Sequence, residues 1–476
     1  MRNTLYHRPH FRCCVFLLVL GSLVYGNHLQ NPFQFDTVAY IVNEHRLDNI
    51  NEQLNINYLL EDFFHRSLLQ ISIAFNAHLD GFRTFSYHLI NLLLHLINSL
   101  LVYFITCRIW CYFRSIDCQS TETEKRFVAL FTAILFLLHP IQTESVVYIM
   151  SRSEVFAGTF YLSAFLLFQV YLAKDRPIKI GFKVLVLFII SIAFILGFSV
   201  KQTVITLPLM LLLYFLFGQE SESSSIRWLN KWKWKIGFIV LVGIILLFYK
   251  LLTDESFLIG PSSAGEDIGR LNYMLTQPFV IVYYYIKLLV FPINLNIDPD
   301  ILLVTEWWSW KFITALMGIA GLIYFSCRVK EKLLLLYFIF WFLIVLSPSS
   351  SIITLGDLAA EHRTYLASYS FYAAVAFCVY KVPHLVYSAH PKKSRNIALA
   401  VSIFIAVIFS VLTIQRNKIW ASEVSLWADT LKKSPQKVRP VINLAQAYTK
   451  VGTFDLAVEY YEKALTLNPN VFATNY

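Results

Sequence analysis

A chain of 476 residues that is 57% hydrophobic, 16% aromatic and only 15% charged cannot hide its apolar surface in soluble cores, since ordinary globular chains carry about 25% charged residues. The mean hydropathy of +0.57 excludes disorder, collagen-like repeats and a disulfide-stapled secreted scaffold. The formal charge of +10 sits in short clusters between apolar stretches, the pattern of cytoplasmic loops and not of a nucleic-acid groove.

The expected fold class is all-α: a polytopic helical membrane protein, domain 1–414, followed by a helical-repeat region, 415–476. Crossing hydrocarbon takes about 20 apolar residues. Candidate spans lie near 13–26, 87–107, 127–139, 154–173, 184–200, 204–218, 236–252, 276–292, 311–327, 333–347, 366–380 and 397–414. Their apolar stretches are too long and continuous for barrel strands. The first has the look of a signal peptide, but its poorly matching cleavage positions favour an uncleaved anchor.

Lys and Arg set the orientation. The loops 1–12, 108–126, 174–183, 219–235, 328–332 and 381–396 hold 22 of them, against 8 in the longer opposite set. The N-terminus is therefore expected in the cytoplasm and the C-terminal repeats outside it. If 276–292 crossed, the basic stretch Arg328 to Lys332 would fall outside. That segment reads as re-entrant or interfacial, leaving about 11 crossings; twelve crossings with one violation of the charge rule is the other arrangement. The seven cysteines fall in spans or near their cytoplasmic ends, which implies no external disulfide, and their spacing implies no metal site.

Ionisable groups near membrane depth are costly, about 2.5–3.5 kcal/mol each on insertion scales, and are functional candidates by default. They gather at the external edge. Asp36, between aromatics just beyond the first span, is a candidate general base or a solvated loop residue. On the second span His88, Asn91, His95 and Asn98 share one helical face, which favours hydrogen bonding between helices, with His88 the nearest to the external end. His139 precedes Pro140, which breaks the next span. Glu144, Arg152 and Glu154 follow. Lys201 tips a tight helical hairpin, where it can pair with an anion or snorkel to headgroups. Arg66, Glu361 and Arg363 complete the set.

In the tail, Ala445, Tyr448, Gly452, Ala457, Ala464 and Pro469 stand at offsets of 0, 3, 7, 12, 19 and 24. That spacing resembles the tetratricopeptide repeat, a helical hairpin whose small residues allow close packing. One unit covers Val438 to Val471, Trp420–Pro435 reads as a helix packing on its front, and Asn470 onward would open another repeat.

Taken in order, Asp36, His88-x-x-Asn91-x-x-x-His95, His139-Pro140-x-x-Thr143-Glu144, Arg152-x-Glu154, Lys201, Glu361-His362-Arg363-x-Tyr365 and the terminal repeat resemble the transmembrane and tetratricopeptide-repeat proteins of the C-type glycosyltransferase superfamily. The resemblance covers nearly the whole chain. It implies transfer of a sugar, mannose by the same resemblance, from a polyprenyl- or dolichyl-phosphate donor to a Ser or Thr hydroxyl of a protein, with inversion. The donor is a substrate; no tightly bound cofactor is implied. Asp36 maps onto the catalytic acid of the first external loop, and Arg66, Arg152, Lys201 and Arg363 are the candidates for the lipid phosphate. His88, His139, Glu144, Glu154 and Glu361 are acceptor-orienting or structural. Two departures are Thr37 where a second acid is common and Gln202 where relatives often carry Glu. The implied partners are the lipid-linked donor, membrane lipids and an acceptor protein held by the repeats, with no nucleic acid. The implied membrane is the endoplasmic reticulum in a eukaryote and the inner membrane in a bacterium. A glycan or lipid acceptor, a non-catalytic scaffold and a transporter are the rival readings.

Overall fold

A computed structural model describes residues 2–35, 37–38, 66–113, 122–172, 180–217, 268–351 and 353–469. Among them the regular structure is helical. Seven helices are long and apolar enough to cross a membrane, and an eighth if one bent pair is counted as a single span. The candidate span 236–252 lies outside the described residues.

The bundle comprises α1 (Arg2–Tyr25), α3 (Thr84–Phe113), α4 (Glu122–Leu138), α6 (Arg152–Leu172), α7 (Ile180–Val200), α8 (Leu207–Phe217), α10 (Trp310–Arg328), α11 (Lys332–Leu346), α12 (Ser368–Val386) and α13 (Pro391–Ile419). Between them lie α2 (Ser67–Asp80), α5 (Thr143–Val147) and α9 (Arg270–Val290), the last being continuous through a π turn at Val280–Ile286. Helix α3 sits at the centre, packed on α1, α4 and α6, while α12 covers α4 and α7 covers α6. The close packing has a sequence cause at Gly158: a Cβ there would lie 3.1 Å from the ring of Tyr365 and 3.3 Å from Asn98. Only a residue without a side chain lets α6 approach the polar face of α3 so closely.

The polar face of α3 works as interhelical glue. His95 meets the Tyr365 hydroxyl at 2.9 Å and Leu137 O at 3.2 Å, and Asn98 donates to Val155 O at 2.7 Å and to Tyr365 at 3.0 Å. In hydrocarbon every such group needs a partner within the protein.

Two breaks create the polar end of the bundle. Pro140 cannot continue α4, and the chain bends by 50° before α5. Lys201 is extended between α7 and the short turn Gln202–Thr206 that leads into α8. Helix α9 has the length and composition of a span, yet both of its ends bond to this same end of the bundle. Tyr273 donates to Ser349 O and Gln277 to Leu358 O. Farther along, Tyr285 accepts from Ala360 N, and Leu289 O accepts from His139.

The tail forms three helices: α14 (Glu423–Lys433), α15 (Val438–Lys450) and α16 (Phe454–Leu467). Ser422 caps α14 through a reciprocal pair with Ser425. Gly452, at φ +80°, makes the left-handed turn between α15 and α16. Helix α13 continues past 414 to Ile419, so the sequence boundary at 414 falls inside a helix whose last turn carries buried Arg416 and Asn417.

Candidate active site

The breaks at Pro140 and Lys201 and the Glu361–Thr364 turn bring four chain segments together. Glu144 accepts from the His362 backbone N–H at 3.2 Å and from its Nδ1 at 2.6 Å. Burial holds the His362 ring neutral, with its pKa at about 3, and the nearby Lys201 charge pushes the same way. Its Nδ1–H is then the donor to the carboxylate. Lys201 is ion-paired with buried Glu154. Burial depresses the Lys201 ammonium; Glu154 works against that, and the positive charges of Arg66 and Arg363 add to the depression. The positive charges of Lys201, Arg66 and Arg363 thus act on one another, with Glu154 paired to Lys201 and Asp357 acting with Glu154 on Arg363. Such an arrangement favours an additional anion.

Arg363 is held from behind. The hydroxyls of Tyr273 and Tyr285 on α9 bond to it, while its Nη1 has no hydrogen-bond partner among the described residues. Arg66 is exposed, at the start of α2 with a left-handed φ of +65°.

Glu361 faces the other way. Its carboxylate accepts from the Asn296 backbone N–H and from Tyr284 at 3.4 Å, and it stands 4.0 Å from Arg416. Burial raises its carboxyl above the usual range, to about 8, with Arg416 opposing.

Two of the residues expected at the site hold helices together. Arg152 is fully buried and held by neutral acceptors, four for its five N–H groups: Asn91 Oδ1 at 2.8 Å, Asn76 Oδ1 at 2.7 Å, Ser72 O at 3.0 Å and Tyr87 O at 3.1 Å. It ties α2, α3 and α6 together and has no exposed surface, unlike the cations around Lys201. His139 uses both ring nitrogens, accepting from Ile141 N and donating to Leu289 O. It pins the Pro140 break to α9. His88 donates from Nε2 to Asn31 O at 3.0 Å. Asp36 lies outside the described residues; the chain reaches it from Phe35, which sits at φ +57° with its ring against Tyr148 and Trp427.

Several residues escaped sequence reading. Asp298 binds Arg439 at 2.6 Å and pairs with Lys437, and Arg439 also holds Asp357 at 2.9 Å. Asp298's carboxyl is driven below the usual range because Arg439 and Lys437 outweigh its burial. Ser434 donates to Asp298 O and accepts from Asn296, and Lys433 donates to Leu295 O at 2.7 Å. Arg416 reaches Asp429 at 2.8 Å. These bonds clamp α14 and the start of α15 to the site end of the bundle. The alternation Asn294, Asn296, Asp298 opposite a basic Lys437-x-Arg439 was the available signal. No group of three or more His, Cys, Asp or Glu suited to a metal occurs among the described residues.

Residues 442–471 match the tetratricopeptide-repeat family. The chain is 23% identical to a protein O-mannosyl-transferase of Caenorhabditis elegans over 96% of its own length and 63% of that protein. It is 23% identical to protein O-mannosyl-transferase TMTC1 of Homo sapiens over 94% of its length and 54% of that protein. Against protein O-mannosyl-transferase Tmtc3 of Drosophila melanogaster the figures are 23%, 96% and 55%. The chain thus spans between about half and two-thirds of the length of these relatives. No solved structure matches it. Along nearly its whole length, this polytopic chain with its terminal repeat is similar to the transmembrane and tetratricopeptide-repeat protein O-mannosyl-transferases.

Proposed function

We propose that the protein is a membrane glycosyltransferase that moves a sugar, mannose by its relatives' names, from a polyprenyl-phosphate donor to Ser or Thr hydroxyls of a protein on the extracytoplasmic side. The observation that carries this reading is the crowding of Arg66, Lys201 and Arg363 at one end of the bundle, with one guanidinium nitrogen of Arg363 unpartnered. That is the electrostatic preparation a phosphate leaving group needs at a membrane boundary.

In the reaction, the Asp36 carboxylate takes the proton of the acceptor hydroxyl. The hydroxyl oxygen forms a bond to the anomeric carbon from the face opposite the phosphate, and the bond from that carbon to the phosphate oxygen breaks. The lipid phosphate leaves with the electron pair, its charge met by Lys201 and Arg363, and the anomeric configuration inverts. Glu144 orients His362 beside this site and Glu154 orients Lys201.

The test is transfer from labelled polyprenyl-phosphate mannose in liposomes to a Ser/Thr-rich peptide. Wild type is expected to transfer and Asp36→Asn to lose transfer while still binding donor. Full turnover by Asp36→Asn removes that residue from the base role. Absence of transfer from any lipid-linked sugar favours a scaffold that recruits partners through its repeats.

A further inference from the structure

The proposed chemistry leaves one face of His362 unused. Its Nδ1–H donates to one oxygen of Glu144 at 2.6 Å, and its backbone N–H donates to the other at 3.2 Å. These two bonds fix the ring and leave its Nε2 with a lone pair. Histidines deeper in the bundle spend both ring nitrogens internally, His95 on Tyr365 and Leu137, His139 on Ile141 and Leu289. His362 does not. Among the described residues its Nε2 meets no hydrogen-bond partner, and unlike Arg363 Nη1 it is not enclosed, the side chain being 25% exposed. A carboxylate-anchored imidazole thus presents an accessible acceptor, next in the chain to Arg363 and within the field of Lys201.

The surroundings decide what that acceptor can bind. A phosphodiester has no hydrogen to donate, so it is matched by Lys201 and Arg363 and not by Nε2. A further cation is repelled by the same two charges, which also act against protonation of the ring. Neutral donors remain, a hydroxyl or a peptide N–H. In an inverting displacement the acceptor polypeptide approaches the anomeric carbon from the face opposite the phosphate. His362 stands with the cations, on the phosphate side, where the donor's own sugar hydroxyls lie within a few bonds of the phosphorus. Burial, with the Lys201 charge, holds the His362 pKa at about 3. The ring is therefore a weak base that accepts a hydrogen bond and does not remove the proton.

We infer that His362 is a sugar-recognition residue of the donor site, its Nε2 accepting a hydrogen bond from a ring hydroxyl of the sugar whose phosphate Lys201 and Arg363 hold. This rests on the lipid-phosphate-sugar reading above. The two kinds of group then divide the work. The cations recognise the phosphate that every polyprenyl-phosphate lipid carries, and His362 tells a glycosylated lipid from one without a sugar. Glu144, only 3% exposed, touches no donor and acts through the ring as a positioning residue.

The test is binding and does not need turnover. The whole chain in lipid nanodiscs is titrated with polyprenyl-phosphate mannose and with polyprenyl methyl phosphate, a diester of equal charge that lacks the sugar. The variant is His362→Asn, whose amide keeps an N–H for Glu144 where Nδ1 stood and puts nothing in place of Nε2. It is expected to lose about three- to tenfold in affinity for the mannosyl lipid, the worth of one hydrogen bond, and nothing for the methyl lipid. Equal loss for both lipids overturns the assignment and makes His362 part of the phosphate site; loss for neither overturns it outright. A second measurement needs no variant and serves if His362→Asn does not fold. Carbethoxylation of wild-type His362 by diethyl pyrocarbonate, located by mass spectrometry, is expected to proceed without lipid and to be blocked by the mannosyl lipid alone. A ring that does not react, or that the methyl lipid protects equally, overturns the proposal. If the mannosyl-specific loss holds but wild type transfers no sugar, the sugar contact stands and the transferase reading fails; if His362→Asn transfers sugar with unchanged KM, the reverse.

Discussion

Arg152 and Arg363 are both arginines at the polar end of one bundle, with different roles. Arg152 is enclosed, and its donors are met by Asn91, Asn76, Ser72 and Tyr87. Arg363 is half-buried, steadied by Tyr273 and Tyr285, close to two other cations and left with an unpartnered Nη1. The difference teaches that burial alone does not mark a functional charge. A cation enclosed among neutral acceptors is a peg; one steadied from behind among like charges is set for an anion.

The sharpest way to break that comparison is Arg152→Ala. It strands at least two side-chain and two backbone acceptors, each costing about 1–3 kcal/mol. The expected result is the largest loss of all, with little folded protein recovered and a sharp drop in melting temperature for what remains. Arg152→Lys is expected to rescue little, because an ammonium cannot reproduce the planar fork that spans three helices. Near-normal melting of Arg152→Ala would return Arg152 to the site.

The next effect is at the clamp. Asp298→Ala removes the carboxylate shared by Lys437 and Arg439, a partly buried cluster whose breakage costs about 3–5 kcal/mol. Hydrogen exchange is expected to quicken in α14 and the first turn of α15 while α3 and α6 stay protected. Uniform exchange change, or none, would mean that the repeat hairpin is held by its apolar contacts alone.

Arg363→Ala is expected to leave the melting temperature close to wild type and to weaken binding of polyprenyl phosphate by about ten- to a hundredfold, the worth of a charge-assisted hydrogen bond. Lys201→Ala should weaken it similarly but also destabilise, since Glu154 is then buried without its partner. The contrast between the two variants sharpens the distinction between an open donor and a paired one. Equal affinity of Arg363→Ala and wild type for the phosphate lipid would dismiss the anion site.

What the sequence made legible was local. Small residues at helical spacing identify the repeat, Pro140 identifies a broken span, and the periodic His88, Asn91, His95, Asn98 face identifies the polar seam of α3. Asn91, for example, does accept from Arg152 on a neighbouring helix. What stayed hidden depends on distant segments meeting. The anchoring of Arg152 needs Ser72 and Asn76 of α2, some 80 residues away, and no pattern within either segment announces the other. Asp298 reads as a loop acid until Lys437 and Arg439 arrive from the repeat. Trp420, taken from sequence as the start of a front helix, accepts from Gln34 only because Gln34 and Asn31 fold back onto the end of α13.

The last expected effect is a pH slope, and its sign comes from Glu361. Burial raises this carboxyl from 4.5 to about 8 in the folded protein, with Arg416 unable to offset it fully. A group whose folded value is raised binds its proton more tightly when folded, so its contribution to stability is complete below the unfolded value and is lost as pH rises toward the folded one. The melting temperature is therefore expected to fall between pH 5 and pH 8, and Glu361→Gln, which keeps the shape and removes the titration, is expected to flatten that part of the profile. A slope unchanged in Glu361→Gln would assign the titration elsewhere. A slope of opposite sign would mean that Arg416 closes its 4.0 Å gap and holds Glu361 ionised, making the pair a second peg of the Arg152 kind.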